Sequence, residues 1–155
     1  MAYLNTGDPA PDFAANNQDG KEIQLSSFKG KKVILYFYPK DDTPGCTKEA
    51  CNLRDNHSEL LEKGFVVLGV SPDSSASHTK FRGKYNLPFD LLADTDKSIM
   101  KAYGAWGLKK MYGKEYEGVL RTTYIIDEDG KIEKVIKKVD TKNSAQQILD
   151  ELGMN

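Results

Sequence analysis

The sequence contains two cysteines, Cys46 and Cys51, and cysteine is the residue type best suited to covalent redox chemistry. Cys46 directly follows Thr43-Pro44-Gly45. Threonine followed by proline is typical of a helix start, with Thr43 as the N-cap and Pro44 as the first helical residue. Cys46 is then the third helical residue, where free N–H groups and the helix dipole stabilise an anion. The spacing therefore favours a thiolate at Cys46.

The helix dipole alone contributes too little to make the thiolate the main form. Converting an ordinary cysteine to mostly thiolate at neutral pH takes roughly 2 kcal/mol. A helix N-terminus typically contributes only ~0.3–1 kcal/mol. We therefore expect a cation close to Cys46, and the candidates are Lys40, Lys48 and Arg121.

The two cysteines lie on a segment with helical periodicity, Cys46 to Lys63, which Gly64 ends as a C-cap. At about 100° per residue, Cys46 shares the core-facing side with Ala50, Leu53, His57, Leu60 and Leu61. Cys51 falls about 140° away, on the solvated side with Asp55, Ser58 and Glu62. An intact helix would keep the two α-carbons beyond the roughly 7 Å limit for a disulfide. A bond between the cysteines would thus require this helix to unwind.

Two apolar, β-branched runs flank that helix, Val33–Tyr38 and Phe65–Val70. Such runs are typical of strands buried on both faces. Strand, helix and strand at this spacing form a βαβ unit with a parallel strand pair. Cys46 then lies after the carboxyl end of the first strand, where sites of α/β sheets are commonly found.

The rest of the chain predicts a mixed sheet with further helices. We expect strands at Glu22–Ser26, Phe89–Leu92, Leu120–Ile126 and Ile132–Val139, the last two as an antiparallel hairpin. We expect helices at Ser75–Tyr85, Asp96–Tyr103 and Asn143–Leu152, and a long surface loop at Gly104–Gly118. This order indicates an α/β protein with a thioredoxin-like fold, a mixed central sheet flanked by helices, as a single domain over residues 1–155.

Composition excludes several classes of protein. The net charge of −1 argues against a nucleic-acid binder, and no apolar stretch approaches the ~20 residues of a membrane span. The N-terminus lacks the basic and apolar regions of a secretory signal, so we expect a cytoplasmic protein, where thiols stay reduced. Two cysteines and two histidines barely supply the ligands of a structural zinc site, so we expect no metal.

The stretch Pro39-x-x-x-Thr43-x-x-Cys46 resembles the active-site motif of the peroxiredoxins. The longer run YFYPKDDTPGCTKEAC, which ends at Cys51, is similar to the bacterioferritin-comigratory-protein (Q-type) branch of that family. The similarity continues in GDPAPDF near the start and in RTTYIID, which begins at Arg121. It therefore spans most of the chain.

The resemblance implies a thiol peroxidase and a role for each matching residue. Cys46 would attack the peroxide O–O bond and become a sulfenic acid. Thr43 would hydrogen-bond the peroxide, and Pro39 would shield the site. Arg121 would supply the expected cation and stabilise the leaving oxygen, while Glu49 would orient Arg121.

The same resemblance implies how the enzyme is regenerated. Cys51 would be the resolving cysteine, which forms an intramolecular disulfide with Cys46. Thioredoxin or a similar dithiol protein would reduce that disulfide, and no metal, flavin or haem would take part. The substrates would be hydrogen peroxide and organic hydroperoxides, and the protein would act as a monomer.

Other interpretations of the same residues remain open. One alternative is a thiol–disulfide oxidoreductase, although such enzymes usually carry C-x-x-C; another is a redox-sensing binding protein without turnover. Thr43 could be only an N-cap, and Cys51 a bystander. We interpret His57 and His78 as structural residues, and a metal site at Cys46, Cys51 and His57 fails because Cys51 faces away.

Overall fold

The computed structural model describes residues 3–154 of the chain. The elements, in chain order, are β1 (Ala14–Asn16), β2 (Glu22–Gln24), a 3-10 helix (Leu25–Phe28), β3 (Lys32–Phe37), α1 (Pro44–Asp55), α2 (His57–Glu62), β4 (Phe65–Ser71), α3 (Ser75–Tyr85), β5 (Asp90–Ala93), α4 (Ser98–Ala102), β6 (Trp106–Met111), β7 (Lys114–Val119), β8 (Thr122–Ile126), β9 (Ile132–Ile136) and α5 (Ser144–Glu151). No helix of the described residues is both long and apolar enough to span a membrane.

The central sheet has five strands in the order β5-β4-β3-β8-β9. β3 pairs in parallel with β4, and β4 pairs in parallel with β5. β8 pairs antiparallel with β3 on one side and with β9 on the other. The predicted parallel βαβ unit, the antiparallel hairpin and the mixed sheet are therefore confirmed.

Helices cover both faces of this sheet because successive side chains of a strand point to opposite faces. On one face, Ile34 and Tyr36 of β3 belong to the same buried cluster as Cys46 of α1 and Ile148 of α5. The other face of β3 contributes Val33, Leu35 and Phe37 to a second buried cluster with Ile99 and Met100 of α4. The continuous apolar sequence of β3 thus reflects burial on both sides.

The predicted single helix over Cys46–Lys63 is wrong, because the chain breaks it at Asn56. The Asn56 backbone leaves the helical region (φ −109°, ψ 8°), and its side-chain amide donates to the Asn52 carbonyl at 2.8 Å. An asparagine that hydrogen-bonds nearby backbone competes with the helix ladder in this way. α2 is therefore a separate helix, and Leu61, predicted to face the core, is 52% exposed.

The predicted loop at Gly104–Gly118 is also wrong, since most of it forms the antiparallel hairpin of β6 and β7. Tyr112 and Gly113 make the two-residue turn with φ values of 55° and 77°. Positive φ at both turn residues matches the right-handed twist of hairpin strands. The sequence hid this turn because Tyr-Gly is not among the usual signals such as Asn-Gly. The hairpin forms a separate two-stranded sheet outside the central one.

The other predicted elements occur with small shifts at their ends. The helix Ser75–Tyr85 has the predicted bounds, while the strand predicted at Glu22–Ser26 stops at Gln24 and passes into the 3-10 helix. The strand predicted to reach Val139 ends at Ile136. The predicted C-cap at Gly64 has a φ of 88°, a conformation that glycine adopts without strain.

Candidate active site

The site lies where the loop after β3 enters α1. Thr43 has extended N-cap geometry, and its carbonyl accepts the first helical bond from the Thr47 N–H at 2.8 Å. Its side chain makes no capping bond; the hydroxyl donates instead to the Lys40 carbonyl at 2.9 Å. The predicted N-cap position is therefore confirmed, but the side chain is not used for capping. The hydroxyl oxygen keeps lone pairs that can accept from another donor.

Cys46 occupies the first turn of α1 and is only 1% exposed. Ala50 and Leu53, predicted to share its side of the helix, are also buried. Cys51 is half-buried on the same helix, and neither cysteine forms a disulfide. The helix therefore keeps the two thiols apart, as the sequence predicts.

Arg121 is the cation beside Cys46. Its Nη2 donates to the Cys46 Sγ at 3.2 Å, and its Nη1 donates to the Glu49 Oε1 at 2.9 Å. Burial alone would lower the pKa of Arg121, but Cys46 and Glu49 together raise it above its ordinary value. Lys40 and Lys48, the other two candidates, are exposed. The guanidinium is therefore a permanent positive charge held against the sulfur.

Arg121 reaches Cys46 because of strand order. It immediately precedes β8, and β8 pairs with β3, whose end leads into the site loop. This pairing brings residues 75 positions apart into contact. Physical reasoning on the sequence left Lys40, Lys48 and Arg121 as candidates, and only the resemblance to peroxiredoxins selected Arg121.

Glu49 is completely buried one turn after Cys46. Its Oε1 pairs with Arg121, whereas its Oε2 has no hydrogen-bond partner. Burial raises the pKa of Glu49 to about 7, although the neighbouring Arg121 favours the charged form. Burial thus favours the protonated form of Glu49, whereas the bond from Arg121 favours the carboxylate.

Gly45 makes room for this arrangement, a role that the sequence alone did not indicate. A Cβ atom at position 45 would lie 3.3 Å from the Arg121 Nη2. That separation is tight, so a larger residue would require the guanidinium to shift by a few tenths of an ångström. Pro39 lies half-buried just after β3, at the start of the same loop.

Sequence reasoning also missed that Asp41 fastens the loop to α3. Asp41 is buried and bonds to the start of α3, whereas Asp42 is exposed and bonds to Lys84 and Tyr85 at its end. The only available signal was a pair of acidic residues inside the motif. Their partners on α3 lie more than 30 positions away.

A shallow groove surrounds Cys51 on the outer side of α1. It is lined by Lys48, Cys51, Asn52, Asp55 and Lys142. Asn52 connects α1 to α5 here, since its side chain donates to the Lys142 carbonyl and accepts from the Ala145 N–H. Within residues 3–154, no cluster of three or more His, Cys, Asp or Glu side chains could hold a metal ion.

Comparisons with known proteins place the chain in a family. Residues 6–135 match the AhpC/TSA family. The chain is 46% identical to peroxiredoxin Bcp of Bacillus subtilis over 149 residues, which cover 96% of this chain and 95% of that protein. It is 44% identical to peroxiredoxin Bcp of Escherichia coli over 150 residues, 97% of this chain and 96% of that one.

Solved structures show the same fold. Xylella fastidiosa PrxQ superposes with a TM-score of 0.91 at 29% identity, over 99% of this chain and 98% of that one. Xanthomonas campestris bacterioferritin comigratory protein superposes with a TM-score of 0.85 at 32% identity, over 91% of this chain and 90% of that one. The predicted thioredoxin-like fold is thus confirmed. The chain belongs to the AhpC/TSA family, in the Bcp (Q-type) branch of the peroxiredoxins.

Proposed function

We propose that the protein is a thiol peroxidase that reduces hydroperoxides through Cys46 and regenerates itself through Cys51. The observation that carries the proposal is the single guanidinium of Arg121, bonded at once to the Cys46 Sγ and to Glu49. A buried thiol at a helix N-terminus with a permanent cation against it is the arrangement that stabilises a reactive thiolate. Membership of the peroxiredoxin family supplies the reaction class.

In the first step the Cys46 thiolate attacks one oxygen of the hydroperoxide. An S–O bond forms, the O–O bond breaks, and its electron pair leaves on the second oxygen as alkoxide or hydroxide. Arg121 lies where this negative charge develops and stabilises it before a proton converts it to alcohol or water. The Thr43 hydroxyl, which already donates to Lys40, accepts the hydrogen bond of the hydroperoxide. Pro39 shields the site from bulk water.

In the second step the Cys51 sulfur attacks the sulfur of the Cys46 sulfenic acid. A disulfide forms and the hydroxyl group leaves as water. In intact α1 the two residues are separated by about 7.5 Å along the axis and point about 140° apart. A disulfide requires α-carbons within roughly 4.4–6.8 Å, so the first turns of α1 unwind before the bond forms.

A dithiol protein of the thioredoxin type then restores the two thiols by exchange. The groove around Cys51 offers that thiol access from solvent, with Lys48 and Lys142 on its rim. We place this cycle in the cytoplasm, with the protein acting as a monomer.

The substrates in this proposal are hydrogen peroxide and organic hydroperoxides. The Xanthomonas campestris relative has an alkyl peroxide reduction activity, which supports the organic class. No bound group is needed for the cycle, because both electrons come from the two thiols.

Continuous turnover tests the proposal against its alternatives. Purified protein receives hydrogen peroxide or an alkyl hydroperoxide, together with thioredoxin, its reductase and NADPH. A peroxidase oxidises NADPH in proportion to peroxide consumed, and Cys46→Ser abolishes this consumption. A redox-sensing binding protein would stop after one equivalent of peroxide. A thiol–disulfide oxidoreductase would reduce a disulfide substrate and leave the peroxide unreacted.

A further inference from the structure

Asp41 of the site loop bonds to three side chains inside the protein, and the proposed reaction uses none of them. The Tyr38 hydroxyl donates to the Asp41 Oδ1 at 2.6 Å. The Ser77 hydroxyl donates to the Oδ2 at 2.8 Å, and the His78 Nδ1 lies 2.7 Å from the same oxygen. Because Ser77 and His78 belong to α3, these bonds fasten the loop to that helix.

His78 is buried with an acceptor at each ring nitrogen. Its Nε2 lies 3.0 Å from the Leu92 carbonyl oxygen, so that nitrogen donates its proton there. The side chains of His78 and Asp41 are 0% and 4% exposed. One proton must lie between the Nδ1 and the Oδ2, since without it a ring lone pair would face a buried carboxylate. The pair therefore carries no net charge. Removing either partner would leave the other buried without this bond.

Asp41 lies two residues before Thr43, the N-cap of α1, and five before Cys46, so a bond at Asp41 holds the chain close to the start of α1. Its backbone N–H also donates to the Asp73 Oδ2 at 2.8 Å, just after β4. The loop is thus held from α3 and from the end of β4. The neighbouring bonds of Asp42 to Lys84 and Tyr85 are exposed and contribute little.

We propose that Asp41 and His78 are positioning residues that hold the β3–α1 loop, and with it the first turn of α1, in the conformation that reacts with peroxide. The inference rests on the proposed function, in which the same turn must leave the helix before Cys51 can attack. The buried pair therefore sets the balance between the folded site and the unwound one. Attack on peroxide requires the folded site, and disulfide formation requires the unwound one.

Weakening the pair then changes the two chemical steps in opposite directions. Attack on peroxide slows because fewer molecules hold Cys46 against Arg121. Disulfide formation accelerates because the first turns of α1 open more often. A sulfenic acid with a shorter lifetime meets less second peroxide, so the yield of the irreversible sulfinic acid falls. A substitution that merely damaged the fold would not accelerate one step while it slowed the other.

Rapid-quench mass spectrometry of the full-length protein measures both steps, with hydrogen peroxide as the probe. His78→Gln can still donate to one acceptor but not to both, and Ser77→Ala removes one donor from a helix position that tolerates alanine. The control is Asp42→Asn, because asparagine readily adopts the positive φ of 58° found there. Thermal unfolding checks that each variant is folded.

In His78→Gln we expect Cys46 oxidation to slow by on the order of ten-fold and the disulfide to form about ten-fold faster. In Ser77→Ala we expect both rates to change in the same directions as in His78→Gln, by about three-fold. If His78→Gln does not fold, Ser77→Ala alone tests the inference. Asp42→Asn keeps both rates of the wild type. Unchanged rates in the folded variants, or rates that fall together, overturn the inference. Wild-type protein that does not react with peroxide would instead refute the proposed function.

Discussion

The guanidinium of Arg121 connects the thiol of Cys46 to the carboxyl group of Glu49, and its planar shape makes this possible. Two of its nitrogens donate in different directions, one to sulfur and one to oxygen. A lysine ammonium is a compact point charge and cannot reproduce this fork. At the residue scale, the reactivity of the site should therefore depend on the shape of this cation as well as on its charge.

Replacing Arg121 separates charge from shape. We expect Arg121→Ala to lower the second-order rate of Cys46 oxidation by on the order of 100-fold, the usual cost of losing one stabilising donor. The rate of Arg121→Lys should lie between those of Arg121→Ala and the wild type, because lysine keeps the charge and loses one hydrogen bond. Stopped-flow measurement with hydrogen peroxide gives the rates. Lys48→Ala is the control and should react as fast as the wild type. A slower rate in Lys48→Ala, with an unchanged rate in Arg121→Ala, would show that Lys48 supplies the cation.

Glu49 makes the stability of the protein depend on pH. Its pKa rises from 4.5 to about 7 on folding, so the folded state binds more protons than the unfolded state between these values. The free energy of unfolding then decreases as pH rises through this window, with a slope of at most about 1.4 kcal/mol per pH unit. We expect Glu49→Gln to remove this decrease, because glutamine does not titrate.

Urea denaturation at several pH values between about 5 and 8 measures the effect. The matched control is Glu62→Gln on α2, where the side chain is exposed and the slope of the wild type should persist. A Glu49→Gln protein that loses stability with pH as steeply as the wild type would show that other groups cause the decrease.

At the scale of elements, Gly69 of β4 makes room for the side chains of Tyr36 on β3 and Leu91 on β5. A Cβ at Gly69 would lie 2.9 Å from the ring of Tyr36 and equally close to Leu91. Both neighbours are buried, so neither can move freely. We expect Gly69→Ala to lower the free energy of unfolding by about 1–3 kcal/mol, as overpacking does.

Gly83 on α3 is the matched control for this substitution. A Cβ there meets no atom within 4 Å, and alanine is the better helix former. Gly83→Ala should therefore raise the free energy of unfolding by about 0.5–1 kcal/mol in the same urea titration. Equal effects of the two substitutions would contradict the packing that we assign to Gly69.

Different side-chain contacts hold the two halves of α1, and they predict which part of the helix unwinds. Its first turns are held by Arg121 through Cys46 and Glu49. Its second half is held by Asn52 to α5, by the buried Leu53 and by Arg54, which donates to the Tyr85 carbonyl. Oxidation of Cys46 changes only the first set, so opening should stop near Asn52.

Hydrogen exchange of the reduced and disulfide forms tests this boundary. We expect amides of residues 46–51 to lose protection on oxidation, while those of residues 53–55 stay close to their reduced values. Equal protection of residues 46–51 in both forms, with the disulfide verified by mass mapping, would contradict an opening of α1.

The fold was largely predictable because its central strands and helices follow simple patterns. The apolar runs of β3 and β4, with the interval between them, indicate a parallel strand pair. Helical periodicity correctly predicted that Cys46 is buried. The hairpin of β6 and β7 escaped prediction because its strands are mostly exposed and lack alternation. The break at Asn56 escaped because a single side-chain bond to the Asn52 carbonyl decides it.

At the scale of the whole molecule, the site is assembled from distant parts of the chain. Glu49 and Cys46 come from α1, Arg121 from the residue just before β8, and the side chains that bind the loop from α3. Local patterns give the thiol and its helix, whereas the contacts between these parts follow from strand pairing. Physical reasoning on the sequence therefore predicted a stabilised thiolate at Cys46 and three candidate cations, whereas family resemblance assigned the nucleophile and selected Arg121.

The central claim is that Cys46 reacts with peroxide and Cys51 resolves the product. A single turnover tests it: the reduced protein receives one equivalent of hydrogen peroxide without reductant, is quenched at successive times, and is mapped by mass spectrometry. We predict sulfenic acid at Cys46 first and a Cys46–Cys51 disulfide next, while Cys51→Ser stops at the sulfenic acid and Cys46→Ser consumes no peroxide. Rapid peroxide consumption by Cys46→Ser, or first oxidation at Cys51 in the wild type, would contradict the account.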